Sequence, residues 1–417
     1  MIKTIKLKFS ALFFNWKTFL LFNFIILLVK IAISYSQGFA IGFFEDWRIA
    51  ENLALHGSYS WQIEFGSSAF KLPIYPLFLF FFIKVFGSIA AIKWILFLQH
   101  IIYFCIPILM VKCFNNFKLL NVGFLSGYFF IFSPSYFYYS SVLEATNLFI
   151  LFFLLWFYFY SFLWNNNTSQ KKVIFLLIMT GLLALTQVVV IPIMLFLIIL
   201  LYIYKKTKIS TIALIFFIAG ILYSPWIIRN YVVFNKIVLS KTPVWQNVYM
   251  GYISEHQIFK KNVFLSEVEE KKVLDQIPLH DEFENEKMYK KVVETIQKRH
   301  SYAALKKALN NFVSLWYVPN RYFYDNSWSI LLGRKLYVLV LDVFLCMGLY
   351  YFFKKKFYKI LLFSSIILAG FTVPYLIGHA ANIRFKLDFE WIQTSIIAFY
   401  IMMIGKEKCT IQNPDFD

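Results

Sequence analysis

Long apolar runs separated by short lysine-rich breaks set the plan of this chain. The first run covers about Ala11 to Ala32. A second opens at Ile74 and stops at Phe86, about half of the roughly 20 residues that a helix rising about 1.5 Å per residue needs to cross a bilayer. Further runs cover about Ile89 to Val111, Leu119 to Phe132, Leu148 to Trp164, Val173 to Leu185, Val190 to Tyr204 and Ile209 to Ile228. The last three cover about Leu331 to Phe353, Ile360 to Ile377 and Phe389 to Met403. The pattern predicts an all-α polytopic membrane protein with about 10–11 membrane helices. Its expected parts are an N-terminal transmembrane module over 1–228 with a first outer loop at 34–72, an extracytoplasmic loop domain over 229–330, and C-terminal transmembrane helices with a short cytoplasmic tail over 331–417. Within the polar region, Glu267 to Arg299 has the charge pattern of a solvated helical surface.

Composition agrees. Of 417 residues 60% are hydrophobic and only 15% charged, more apolar surface than a soluble domain of this length can hide, so lipid is part of the solvent. The formal charge of +19 could point to nucleic acid, but the lysines sit in short runs beside apolar segments and do not line one basic face. They read as positive-inside markers, and nucleic acid is not expected as a partner. Lys112 and Lys118, Lys171 and Lys172, Lys205 to Lys208, Lys354 to Lys359, and Lys406 and Lys408 then face the cytoplasm. The first run, behind Lys3, Lys6 and Lys8, is too long for a cleaved leader and reads as a retained span. One fault stays open: with both ends cytoplasmic the number of crossings must be even, and counting Ile74 to Phe86 makes it odd. Cys105, Cys113, Cys346 and Cys409 suggest neither a disulfide nor a metal framework. The bias towards Lys, Ile, Phe and Asn suits an AT-rich bacterial genome, for which the inner membrane is the expected address.

On this path the breaks at Glu45-Asp46, Ser133 to Glu144, Thr186-Gln187, Arg229-Asn230 and His379 to Arg384 share the outer face. In the first loop Ile49, Leu53 and Ala54 fall on one side of a helix, while Arg48, Glu51 and Asn52 point elsewhere, which suits a helix lying in the interface. Glu45 and Asp46 admit two readings: solvated loop acids, or a carboxylate made basic enough by partial desolvation to act as a general base. Glu144 is either an interfacial acid paired with a nearby base or a second acid facing a site. No His, Asp or Glu pair has convincing metal-ligand spacing, although Glu45, Asp46 and Glu144 could gather oxygen ligands around a divalent cation.

The acidic pair after the first span, the pattern Ile-Ala-x-Asn-Leu-x-x-x-Gly-x-x-Ser over Ile49 to Ser60, and Leu-Pro-x-Tyr-Pro-Leu over Leu72 to Leu77 with a later Phe86-Gly87 form an ordered set. It continues with Pro-Trp-x-x-Arg-Asn-Tyr over Pro225 to Tyr231, the aromatic stretch Trp245 to Gly251, and His379 to Glu390. This set, spread over nearly the whole length, resembles the bacterial relatives of the protein O-mannosyltransferases and aminoarabinose transferases, membrane glycosyltransferases of the C-type fold (glycosyltransferase family 39 type). The chain departs from that pattern where Lys386 replaces the second Arg of Arg-x-Arg, where Thr186-Gln187 replaces Thr-Arg, and where prolines are missing near Asp388 and Trp391. The resemblance implies transfer of a sugar from a polyprenyl-phosphate donor to a lipid-linked glycan, lipid or protein acceptor, with inversion by single displacement. It implies Glu45 or Asp46 as catalytic base, with Glu144 and Tyr75 among the substrate-binding residues; the leaving phosphate calls for cations or donors, for which Arg384, Arg229, Lys71 and His379 are the candidates, Arg229 being equally an anchor to lipid headgroups and His379 a hydrogen-bonded boundary residue. Arg384 leads among these for the lipid phosphate, because a guanidinium can hold phosphate oxygens bidentately.

Two competitors remain. A transporter or flippase of lipid-linked saccharides would need ionisable groups near the bilayer midplane and an internal repeat, and neither is clear in the sequence. An O-antigen ligase or polymerase would use a late outer loop rich in Arg and His, for which Arg299, His300 and Arg321 are the available residues.

Overall fold

The computed structural model describes residues 12–36, 45–166, 169–259, 264–381 and 383–407, and among these every regular element is a helix. Lys3, Lys6 and Lys8, residues 37–44 of the first outer loop, and the tail with Lys408 and Cys409 lie outside the described residues. The helices are α1 (Trp16–Ser36), α2 (Glu45–His56), α3 (Ile74–Asn116), α4 (Leu120–Ile131), α5 (Pro134–Tyr139), α6 (Thr146–Trp164), α7 (Gln170–Ala184) and α8 (Val190–Ile203). The chain continues through α9 (Ile209–Phe234), α10 (Val244–Met250), α11 (Glu267–Gln276), α12 (Glu282–Arg299), α13 (Ala303–Trp316), α14 (Tyr337–Lys354), α15 (Tyr358–Ile377) and α16 (Ile383–Glu407).

Seven stretches of described helix are long and apolar enough to cross a membrane. This is a multi-pass all-helical membrane protein, as helices satisfy every backbone group without water. The count is below the 10–11 read from the runs for two reasons. The helices α4, α7 and α8 hold only 12, 15 and 14 residues, short of the roughly 20 that a crossing needs. The runs on either side of Gly87 are two helical segments that follow one another directly within α3 and so count once among the seven, separated by a kink where Gly87 takes φ 75° and ψ 158°. That backbone conformation is open to glycine and closed to residues with a Cβ.

The spans differ in what surrounds them. In α16, 83% of the apolar window is buried inside the protein, against 17% in α1 and in α9. The closing helix is therefore the centre of the bundle, which is why it can carry Lys386, Asp388, Glu390 and Gln393, all buried. Lys386 pairs with Asp342 of α14 at 3.2 Å, and Gln393 donates to the same carboxylate. Aromatic packing seats this helix: the Phe389 ring stacks on Phe371 of α15, and Trp391 meets Phe153 and Phe157 of α6 edge-on.

Outside the spans, α11 starts with a reciprocal cap between Ser266 and Glu269, and α12 with the Asp281 carboxylate accepting from the Phe283 and Glu284 amides. Both lie within the stretch read as a solvated helical surface. Tyr289, Val293 and Ile296 of α12 close a small second core with Tyr249 and Tyr252. From there α13 reaches back to the bundle, where Asn311 donates to the carbonyls of Tyr375 and His379 and Lys307 donates to those of Ile377 and Gly378. The turn carrying His379 is held by these bonds.

Candidate active site

Helix α2 begins with Glu45 and Asp46 in its first turn, where the unsatisfied amides of a helix favour negative charge. It buries Trp47, Ile49 and Ala50 and leaves Arg48 exposed, so its apolar face anchors the turn that carries the acids. Lys71, from the end of the same loop, lies 3.4 Å from the Glu45 carboxylate and 3.6 Å from that of Asp46. Burial alone would raise the Glu45 carboxyl, but Lys71, a backbone amide and Arg384 together bring it below its ordinary value. Burial likewise opposes the charge on Lys71, and the two acids outweigh it, so this ammonium is held above its usual range.

A second pair closes from the opposite side. Arg384, in the first turn of α16, bonds Glu144 at 2.7 Å. The turn bearing Glu144 is fixed from behind: Lys30 of α1 donates to the Phe137 carbonyl and the Ser141 hydroxyl, and Gln99 of α3 donates to the Val142 carbonyl. Tyr136 of α5 goes further. Its hydroxyl donates to the Leu387 carbonyl and accepts from the Trp391 amide, both at 2.8 Å, standing between two groups of α16 that a regular helix would pair with each other.

A cavity of about 350 Å³ joins the two pairs, with Glu45, Asp46, Lys71, Tyr75, Glu144, His379 and Arg384 all on its wall. The Tyr75 hydroxyl and the Thr242 hydroxyl, both on that wall, are buried without a hydrogen-bond partner, an arrangement costing about 1–3 kcal/mol per group unless something else bonds them. His379 donates its Nδ1–H to the Ala380 carbonyl, and burial, followed by the nearby Lys241, pushes its imidazole down to about 3, so it is neutral at physiological pH.

Arg229 lies elsewhere. Its guanidinium donates to the Ser68 and Tyr59 carbonyls and lies over the rings of Tyr59, Trp226 and Phe234, tying the first loop to α9 without lining the cavity. Two charged residues that the sequence reading left without a role do line it. Lys241 has burial, followed by Lys71, lowering its ammonium to about 8. Asp388, one turn past Arg384, is buried and accepts from Gln187 at the tip of the α7–α8 hairpin. Each carried a signal: Lys241 is a lysine in the region expected to be extracytoplasmic, which the positive-inside bias depletes, and Asp388 is an acid within a candidate span.

The acids do not suit a divalent cation. Among the described residues no group of three or more His, Cys, Asp or Glu is placed to hold a metal ion, and Glu45, Asp46 and Glu144 face Lys71 and Arg384. Fold and site together define a multi-pass membrane protein with a charged cavity walled by its first loop, its hairpin tip and its central helix. The chain matches no protein-family profile and no curated protein sequence.

Proposed function

We propose that this protein is a glycosyltransferase of the C-type membrane fold, working at the extracytoplasmic face of a bacterial inner membrane. It moves a sugar from a polyprenyl-phosphate donor to a lipid-linked glycan, lipid or protein acceptor. The observation that carries this reading is the single cavity shared by Glu45, Asp46, Lys71, Tyr75, Glu144 and Arg384, residues from both ends of the chain. In the reaction, Glu45 or Asp46 takes the proton of an acceptor hydroxyl as its oxygen attacks the anomeric carbon from the side opposite the phosphate. The bond between that carbon and the phosphate oxygen breaks, and the polyprenyl phosphate leaves with the electron pair. Configuration at the anomeric carbon inverts. A positioned base contributes about 10²- to 10⁴-fold, and Glu45, which Lys71 holds below its ordinary value where partial desolvation alone would raise it, stands ionised but as a weaker proton acceptor than a free carboxylate. Negative charge gathering on the phosphate is met by Arg384, Lys241 and Lys71, and the Tyr75 hydroxyl is a donor in want of an acceptor.

The test is the double variant Glu45→Gln with Asp46→Asn, purified in detergent and incubated with radiolabelled polyprenyl-phosphate sugars. Loss of both transfer and donor hydrolysis in a folded protein is expected, and wild-type turnover refutes the role of the acids. A carrier of lipid-linked saccharides is the second reading, favoured by the ionisable residues Asp342, Lys386 and Glu390 inside the spans. That reading expects saccharide movement across proteoliposomes without cleavage of the donor.

A further inference from the structure

Beside the main cavity lies a pocket of about 100 Å³ that shares Phe70, Pro243 and Gln246 with it. Its walls come from the first loop and the N-terminal half of α12, away from all but the last residue of any candidate span. Trp61 and Phe70 form one side, their rings stacked at 4.6 Å between centroids and 18° between planes. Asn285, 6% exposed, also lines the pocket, and its Nδ2 donates to the Ile277 and His280 carbonyls. That pairing fixes the amide and leaves its Oδ1 buried with no partner. The acids of the pocket are already engaged: Glu282 accepts from the Ser68 hydroxyl and the Ala69 amide, and Asp281 caps α12.

We infer that this pocket is an acceptor subsite for a neutral saccharide, a proposal that rests on the transferase reading and narrows its acceptor. A sugar ring offers an apolar C–H face to aromatic rings and hydroxyls that donate to a fixed amide oxygen, which are the two features present here. Filling the position opposite Asn285 Oδ1 with a hydroxyl removes the cost of a buried orphan acceptor. Engaged carboxylates discourage an acidic glycan. A peptide acceptor lacks its usual support, since the described residues contain no strand edge to which an extended backbone could pair. The shared wall at Gln246 sets the bound saccharide next to the cavity holding Glu45 and Asp46, so one of its hydroxyls can reach the base while the donor's lipid stays in the membrane.

Binding to the wild-type protein in detergent is measured first, by tryptophan fluorescence and by saturation-transfer NMR, with mannotriose, galactotriose, chitotriose and a Ser/Thr-rich peptide as probes. A saccharide is expected to bind, and Trp61→Ala and Asn285→Ala are each expected to weaken it at least 10-fold. In transfer assays the same variants should raise KM for that saccharide with kcat little changed. Saccharide binding without turnover of any donor would uphold the pocket and sink the transferase reading. Transfer to the peptide with KM indifferent to both substitutions, and no saccharide bound by the wild type, would overturn the pocket and leave the transferase reading in place.

Discussion

The pair between Arg384 and Glu144 joins the first turn of the closing helix to the turn before α6, and a double-mutant cycle measures what it contributes. At 2.7 Å and an effective dielectric of about 20, the gross attraction between unit charges is about 6 kcal/mol. Most of that is returned as desolvation, because the Glu144 side chain is 9% exposed and that of Arg384 29%. Arg384 also retains some compensation when Glu144 is neutralised, since it acts on Glu45 as well. The expected coupling energy is therefore about 2 kcal/mol, with Glu144→Gln and Arg384→Met each costing about 2–4 kcal/mol and the double variant costing less than their sum. Unfolding in mixed micelles titrated with SDS, followed by tryptophan fluorescence, gives the four stabilities. Additivity within about 0.5 kcal/mol would mean that the two charges do not meet, and the cavity as described would lose one wall.

Two further predictions concern pH and backbone. Lys241, lowered to about 8 by burial and by Lys71, is charged below that pH and loses its charge above it, so KM for a phosphodiester donor should rise about 10-fold between pH 7 and 9; Lys241→Met should show the high KM at both pH values, and a flat wild-type profile refutes the role. Glu45 is depressed below 4.5, so its ion-pair contribution is complete at neutral pH and is lost only as pH falls through the folded value, leaving the base ionised throughout that assay. Gly87→Ala should cost about 1–3 kcal/mol through backbone strain alone, because nothing lies within 4 Å of the added methyl and φ is +75°. A thermal midpoint equal to wild type would show that α3 does not need its bend.

Much of the site was legible because polar residues at the ends of apolar runs are few and each needs a reason. Glu45, Asp46, Lys71, Glu144, His379 and Arg384 all interrupt or border hydrophobic segments, and the cavity gathers them. Arg229 obeyed the same rule yet serves to stack and bridge, since a guanidinium beside three aromatic rings and two carbonyls is satisfied before any ligand arrives. Asp388 and the Lys386–Asp342 pair were obscured because a window of mean hydropathy hides single charges in a helix that the protein itself surrounds. The extents of α4, α7 and α8 were legible to within a few residues, but at 12, 15 and 14 residues each falls short of the roughly 20 of a crossing, and an apolar run marks burial in lipid or in protein alike.

The Tyr136 hydroxyl, set between Leu387 and Trp391, spans 251 residues of sequence to complete a turn of another helix. During synthesis this helix is made long after α5, and when it docks it meets the tyrosine hydroxyl at the level of that turn. Docking then selects depth and rotation together, because a slip of one residue would carry the carbonyl and the amide away from the tyrosine and Arg384 away from Glu144. The cavity is thus completed only when this helix docks, and the helices before it hold just one part of its wall until then.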